Sequence, residues 1–267
     1  MSEPTPPTVC RMPANACGRD FILGDLHGHR ASLDTLLAHA RFDFQKDRLF
    51  FVGDFTDRGP DNVECLQLIS EPWLFPVLGN HDFNLMLAGF LGDNADGGFP
   101  AGIAGLSGPD FTPPWDVWSF LHFYGGRWVG DLTSDGWCFL KDVAHQFQAT
   151  PHVRIVGDGE NRFHVVHAGL HPHELIIPET ALSDRDLDAE NWGVAGSESV
   201  LGLFTRRYNR ESARCTNRLS LTYCGHSVVP RITRFAQHVN IDTGSGKGGS
   251  LSLLCHQTQE VWQIHTH

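Results

Sequence analysis

Six short apolar runs in this chain close in the same way, on glycine together with an Asp, Asn or His. They are FILGDLHG (21–28), LFFVGD (49–54), FPVLGNHD (75–82), FHVVHAG (163–169), LTYCGH (221–226) and HVNIDTG (238–244). Continuous apolar runs bounded by glycine fit strands buried on both faces, as in layered α/β proteins; a strand wetted on one face would alternate instead. Polar side chains gathered at such strand ends share one edge of the structure. The feature that predicts the fold class therefore also predicts a single site.

Between the first two runs, Leu33, Leu36, Leu37 and Ala40 keep the i, i+3, i+4, i+7 spacing of an amphipathic helix. After the second, Pro60 and Asp61 read as a helix start leading into Val63, Leu66 and Ile69, so the opening order is β-α-β-α-β. Residues 88–114 carry many Gly and Pro residues and little periodicity, which predicts a long surface loop inserted in the domain. The stretch WDVWSFLHFY from Trp115 returns to a helical pattern. Four prolines, Pro4, Pro6, Pro7 and Pro13, precede the first apolar run, so residues 1–19 read as a flexible tail ahead of a single domain over 20–267.

Composition narrows the function classes. With 20 Lys and Arg against 31 Asp and Glu, a formal charge of −11, the chain lacks the basic surplus that a nucleic-acid surface needs. No stretch approaches the ~18 uncharged apolar residues of a membrane span. Seven cysteines, odd in number and without C-x-x-C, predict a reducing cytoplasmic setting rather than a disulfide framework or a cysteine zinc site. The sixteen histidines are the unusual feature, because imidazole binds metals and moves protons near neutral pH.

In GDLHG, Asp25 and His27 stand two apart on an extended segment and point to one side, where both can reach one cation. Asp54 closes the next run, and an isolated carboxylate beside an apolar core would be too costly without a partner. Asn80 in GNHD, His167 in HAG and His226 in GH bring the candidate ligands to six, too many for one ion. Two ions sharing Asp54 resolve the count, with Asp25, His27 and Asp54 on one, and Asp54, Asn80, His167 and His226 on the other. Hard carboxylates with imidazoles suit Mn²⁺, Fe or Zn, with Ni as a further alternative, better than a soft metal. Such a pair is the clamp of phosphate-transferring hydrolases. Arg58 lies where a guanidinium can hold phosphate oxygens, His81 where it can protonate a leaving oxygen, and Asp57 where it can orient His81 and favour its charged form.

Taken together, GDLHG, GDFTDRG, GNHD, HAG and GH resemble the PPP superfamily of metallophosphoesterases, in particular the bacteriophage-lambda type of Ser/Thr protein phosphatase and its bacterial relatives. The likeness is continuous over about 20–85, patchy over 115–150, and resumes at 163–170 and 201–256. It implies a calcineurin-like four-layer α-β-β-α sandwich with two mixed sheets. It also implies a dinuclear centre usually active with Mn²⁺, and direct attack on phosphate by a metal-bound hydroxide without a phosphoenzyme. By the same resemblance Asn80 also faces the phosphate, and a second phosphate-binding arginine lies in LFTRRYN, where Arg206 aligns better than Arg207. Asp82 departs from the pattern, since many protein phosphatases carry Glu after the histidine.

The expected substrate is a phosphoprotein or phosphopeptide, with small phosphoesters as additional substrates and neither nucleic acid nor membrane as partner. The rival enzyme is a symmetrical diadenosine tetraphosphate hydrolase, a neighbouring branch that typically lacks the Asp of DRG, present here as Asp57. The non-enzyme alternative is a metal-binding scaffold recruiting a partner through 88–114. Trp115, Trp118 and Trp128 read as packing residues, and Asp242 as structural support.

Overall fold

All six apolar runs form strands, and the polar residue closing each run lies at or just beyond the last paired position. The structure, a computed structural model, describes residues 9–91, 117–169, 220–235 and 237–267. The strands are β1 (Val9–Met12), β2 (Asp20–Leu23), β3 (Arg48–Phe51), β4 (Leu74–Pro76), β5 (Val153–Val156) and β6 (Phe163–Val166). They continue with β7 (Leu221–Cys224), β8 (Thr233–Phe235), β9 (His238–Asn240), β10 (Ser250–Cys255) and β11 (Val261–His265). The helices are α1 (Arg30–His39), α2 (Asn62–Gln67), α3 (Asn80–Leu91), α4 (Val117–Tyr124) and α5 (Ser134–Gln148).

Two mixed sheets result, one ordered β1-β5-β6-β7-β9-β8 and the other β11-β10-β2-β3-β4. Their packing explains why β3 is apolar throughout. Phe50 and the following Val52 face the other sheet, against Phe163, Val165 and Tyr223, whereas Leu49 and Phe51 face the helices. With a period of two, a strand between two apolar layers has no polar face to show. At its outer end, Arg48 grips both oxygens of its cross-strand neighbour Asp20, at 2.8 and 3.0 Å. Helix α1 buries Leu33, Leu36 and Leu37 on the five-stranded sheet, and Thr133 caps α5 by accepting the Gly136 N–H. Three of the four expected layers, one of helices and two sheets, are formed by the described residues.

Two expectations are corrected. Residues 9–12 are part of the sheet, not of a flexible tail. β1 pairs in parallel with β5 from Val9↔Val153 to Met12↔Val156, satisfying the backbone groups of that edge while Val9 is buried. The long loop does not begin at residue 88, because α3 runs on to Leu91 with Ala88, Gly89 and Phe90 buried. Gly89 signals close helix packing here, since a Cβ on it would stand 2.9 Å from Ala144 Cβ on α5. Residues 92–114 of that expected loop lie outside the described residues.

Candidate metal centre

The strand ends converge. The β2 end carries Asp25 and His27, the β3 end Asp54, and the start of α3 after β4 carries Asn80 and His81; the other sheet adds His167 and His226 after β6 and β7. Asp25, His27, Asp54, Asn80, His81 and His167 are buried and His226 is half-buried. Two triads, His27–Asp54–His81 and Asp25–Asp54–His167, each bring their ligand atoms within 4.8 Å of one another, and Asp54 belongs to both.

Asp54 stands between the two sets of imidazoles. Its Oδ2 lies 3.7 Å from His27 Nε2 and 3.6 Å from His167 Nε2, while Asp25 Oδ2 is 4.0 Å from His27 Nε2. Two atoms each ~2.1 Å from a shared ion are at most ~4.2 Å apart, so these separations suit common cations. Asp54 Oδ1 accepts the His81 N–H at 3.0 Å, placing the carboxylate at the N-terminus of α3, the favourable end of the helix dipole. Burial alone would raise the Asp54 pKa, but the imidazoles of His167, His81, His27 and His226 outweigh it and hold it below the usual carboxylate range.

The ring tautomers follow from hydrogen bonds to carbonyl oxygens, which can only accept. His27 Nδ1 donates to the Thr56 carbonyl at 2.9 Å and His167 Nδ1 to that of Val52 at 2.7 Å, so both Nε2 lone pairs face inward. His167 Nε2 then lies 2.9 Å from the amide oxygen of Asn80, which is also 2.9 Å from His226 Nδ1. An imidazole lone pair and an amide oxygen facing each other at that distance repel unless a cation lies between them. The donor set thus fits a metal ion on its own chemistry.

Asp25 points the same way. Burial pushes its pKa well above the usual range, and the negative charges of Asp242 and Asp54 push it further, against the His226 N–H that lies 3.2 Å from both of its oxygens. A buried carboxyl in that condition gains from a bound cation. His27 is shifted the other way, well below the ordinary histidine value, by burial and then by Arg58 and His81.

Backbone strain collects here too. His27, Asp54, Asp57, Arg58 and His226 have φ between 47° and 76°, five of the seven described non-glycine residues in positive φ. Each costs about 1–2 kcal/mol, and such residues cluster at functional sites.

At the open side, His81 Nδ1 is held by Asp57 Oδ2 at 2.5 Å, and Arg58 Nη2 reaches His81 Nε2 at 2.9 Å. Arg58 Nη1 also touches His27 Nε2. Every candidate from the motifs among the described residues is thus brought together; Arg206 and Arg207 lie outside the described residues.

Three participants were not given these roles by the sequence reading. Asp82 is fully buried and accepts the N–H groups of Asp54, Phe55 and Gly79. Trp128 donates its indole N–H to Asp57 Oδ1 at 3.0 Å and so does more than pack. Asp242 presses on Asp25 electrostatically from the end of β9. Only the strand-end position of Asp242 and the motif position of Asp82 hinted at this in the sequence.

Comparison with known proteins agrees with this geometry. The calcineurin-like phosphoesterase family profile matches residues 21–230. Serine/threonine-protein phosphatase 2 of Salmonella typhimurium is 28% identical over 234 residues, 88% of this chain and 91% of that one. A symmetrical bis(5'-nucleosyl)-tetraphosphatase of Coxiella burnetii is 44% identical over 73 residues, but those are 26% of this chain and 24% of that one. A crystal structure provisionally assigned as a diadenosine tetraphosphatase superposes with a TM-score of 0.59 at 21% identity, covering 97% of this chain and 98% of that one; it speaks for the fold alone. With the profile spanning every candidate ligand from Asp25 to His226, the chain belongs to the calcineurin-like phosphoesterase family.

Proposed function

We propose that the protein is a two-metal phosphomonoesterase that removes phosphate from phosphoserine and phosphothreonine in proteins. The observation that carries this reading is the Asp57–His81 pair with Arg58 beside it, an orienting carboxylate, an imidazole and a guanidinium at the open edge of the ligand cluster. Asp25, His27 and Asp54 would hold one cation, and Asp54, Asn80, His167 and His226 the other. Two divalent cations, Mn²⁺ foremost, would supply charge neutralisation and an activated water at near-neutral pH.

The residues of the chain do the rest. Arg58 holds the phosphoryl oxygens by its fork of donors, with the Asn80 amide beside it and Arg206 as the second arginine. His81 delivers a proton to the departing serine or threonine oxygen, and Asp57 fixes its ring through Nδ1. The near full-length likeness to a Ser/Thr phosphatase supports the substrate class.

Diadenosine tetraphosphate hydrolysis is the second reading, favoured by the 44% identity to the Coxiella enzyme over a quarter of its length. The test is steady-state turnover of a phosphoserine peptide and of diadenosine tetraphosphate by chelator-stripped protein reloaded with Mn²⁺. Peptide preference, lost in Asp54→Asn, is expected. Dinucleotide preference would move the protein to the second reading, and turnover of neither substrate with metal bound would leave a scaffold.

A further inference from the structure

Trp128 follows two glycines in YGGRW and lies 71 residues beyond Asp57 in the chain, outside every motif at the strand ends. The segment after α4 nevertheless rests on the DRG turn. Arg58 donates its backbone N–H to the Gly125 carbonyl at 3.4 Å, and Gly126 comes so near that a Cβ there would stand 3.1 Å from Asp57 Oδ1. The buried Leu121 and Val129 anchor the segment on either side. Trp128, half-buried, then directs its single N–H at Asp57 Oδ1 from 3.0 Å.

Asp57 is completely buried, and its two oxygens are used from opposite sides, Oδ1 by Trp128 and Oδ2 by His81 Nδ1 at 2.5 Å. A carboxylate held at one oxygen still rotates about its side-chain torsions; held at both, it presents Oδ2 in one place. We propose that Trp128 is a positioning residue for leaving-group protonation, acting through Asp57 on the orientation of His81. This rests on the reading of His81 as the general acid. In that step an oxygen from water bonds to phosphorus and releases its proton to solvent, while the ester P–O bond breaks with its electron pair going to the departing oxygen. With Arg58 turned from His81 Nε2, where it donates in this structure, onto the phosphoryl oxygens, Nε2 carries the proton and passes it to the same oxygen, while the Nδ1–H stays on the ring, donated to Asp57.

Leaving-group dependence separates positioning from packing. An alkoxide such as serine's needs the proton, whereas nitrophenolate departs readily without it. Full-length, Mn²⁺-loaded protein carrying Trp128→Phe, which keeps the ring and deletes the N–H, is assayed on a phosphoserine peptide and on p-nitrophenyl phosphate, with and without His81→Asn. The expected result is a fall of about tenfold in kcat on the peptide with KM little changed, and less than about twofold on p-nitrophenyl phosphate. In the His81→Asn background the same substitution has no further effect on the peptide, the mark of two residues acting as one unit. Trp128→His, which returns a ring N–H, recovers part of the peptide activity.

Selective loss in His81→Asn combined with an unselective, additive or absent loss in Trp128→Phe overturns the positioning role alone. Equal loss on both substrates in His81→Asn overturns the acid assignment itself, and the role of Trp128 with it.

Discussion

Asp82 accepts the backbone N–H of Asp54 at 2.8 Å through Oδ2, so the residue that both candidate triads share is held from behind by the first turn of α3. The same carboxyl accepts the N–H groups of Gly79 at 2.9 Å and Phe55 at 2.8 Å, tying the end of β3 to the end of β4. Burial and the neighbouring Asp54 charge push its pKa up to about 7, against the pull of those three donors. In Asp82→Asn an NH₂ group must face at least one backbone N–H. We expect a loss of about 2–4 kcal/mol in stability, read from the urea midpoint at unchanged slope. Metal affinity should fall about 10–100-fold, as for other residues that orient ligands. An unchanged midpoint would refute the clamp.

Gly225 precedes His226 for a steric reason, because a Cβ on it would collide with Asp25 Oδ1 and approach Val52 Cγ2 to 2.7 Å. Gly225→Ala should therefore displace Asp25 and cost about 1–3 kcal/mol, with metal affinity reduced at least about tenfold. Calorimetric titration with Mn²⁺ reads the second effect; wild-type affinity in a folded variant would show that Asp25 holds no ion.

The raised Asp25 pKa sets how metal stabilisation depends on pH. In the metal-free protein burial, then Asp242 and Asp54, keep Asp25 protonated above the free-Asp value of ~3.9. Its contribution to stability is full below that value and is lost as pH rises toward the elevated folded pKa. A divalent cation displaces this proton and removes the repulsion, so the Tm gain on adding Mn²⁺ should grow as the pH rises above the free-Asp value of ~3.9. Melting curves with and without Mn²⁺ test it, and a gain that shrinks with rising pH would contradict the assignment.

Arg58 is held at φ 73° with Nη2 against His81 Nε2. Arg58→Ala should lower kcat/KM on a phosphopeptide about 10–100-fold, the worth of a charged hydrogen bond of about 1.5–3 kcal/mol, and weaken inhibition by inorganic phosphate. Arg58→Lys should restore only part, since an ammonium lacks the planar fork. Full rescue by Lys would reduce Arg58 to a point charge.

Much of this protein was legible in its residues. Alternation was absent from LFFV because β3 lies between two apolar layers, and that local pattern, punctuated by Gly24, Gly53, Gly79 and Gly225, marked both the strands and the candidate ligands at their ends. Such features depend on neighbours within a few residues, so they survive in one dimension. Signals that mean two things were misread. Gly89 looked like a loop beginning and is a helix contact, and VCRM near the first residues looked like part of a tail and is a sheet edge.

The sequence by itself determined the layered fold class, the strand ends that carry the candidate ligands, and the chemistry of that donor set. Only the tertiary structure decided how these atoms face one another: Asp54 Oδ2 between His27 and His167, Asp82 behind Asp54, and Trp128 on Asp57 from 71 residues away. The reason is physical. Hydrogen bonds between distant segments, left-handed backbone at His27 and Asp54, and the burial that shifts Asp25 arise only when separate strands are packed into one low-dielectric site.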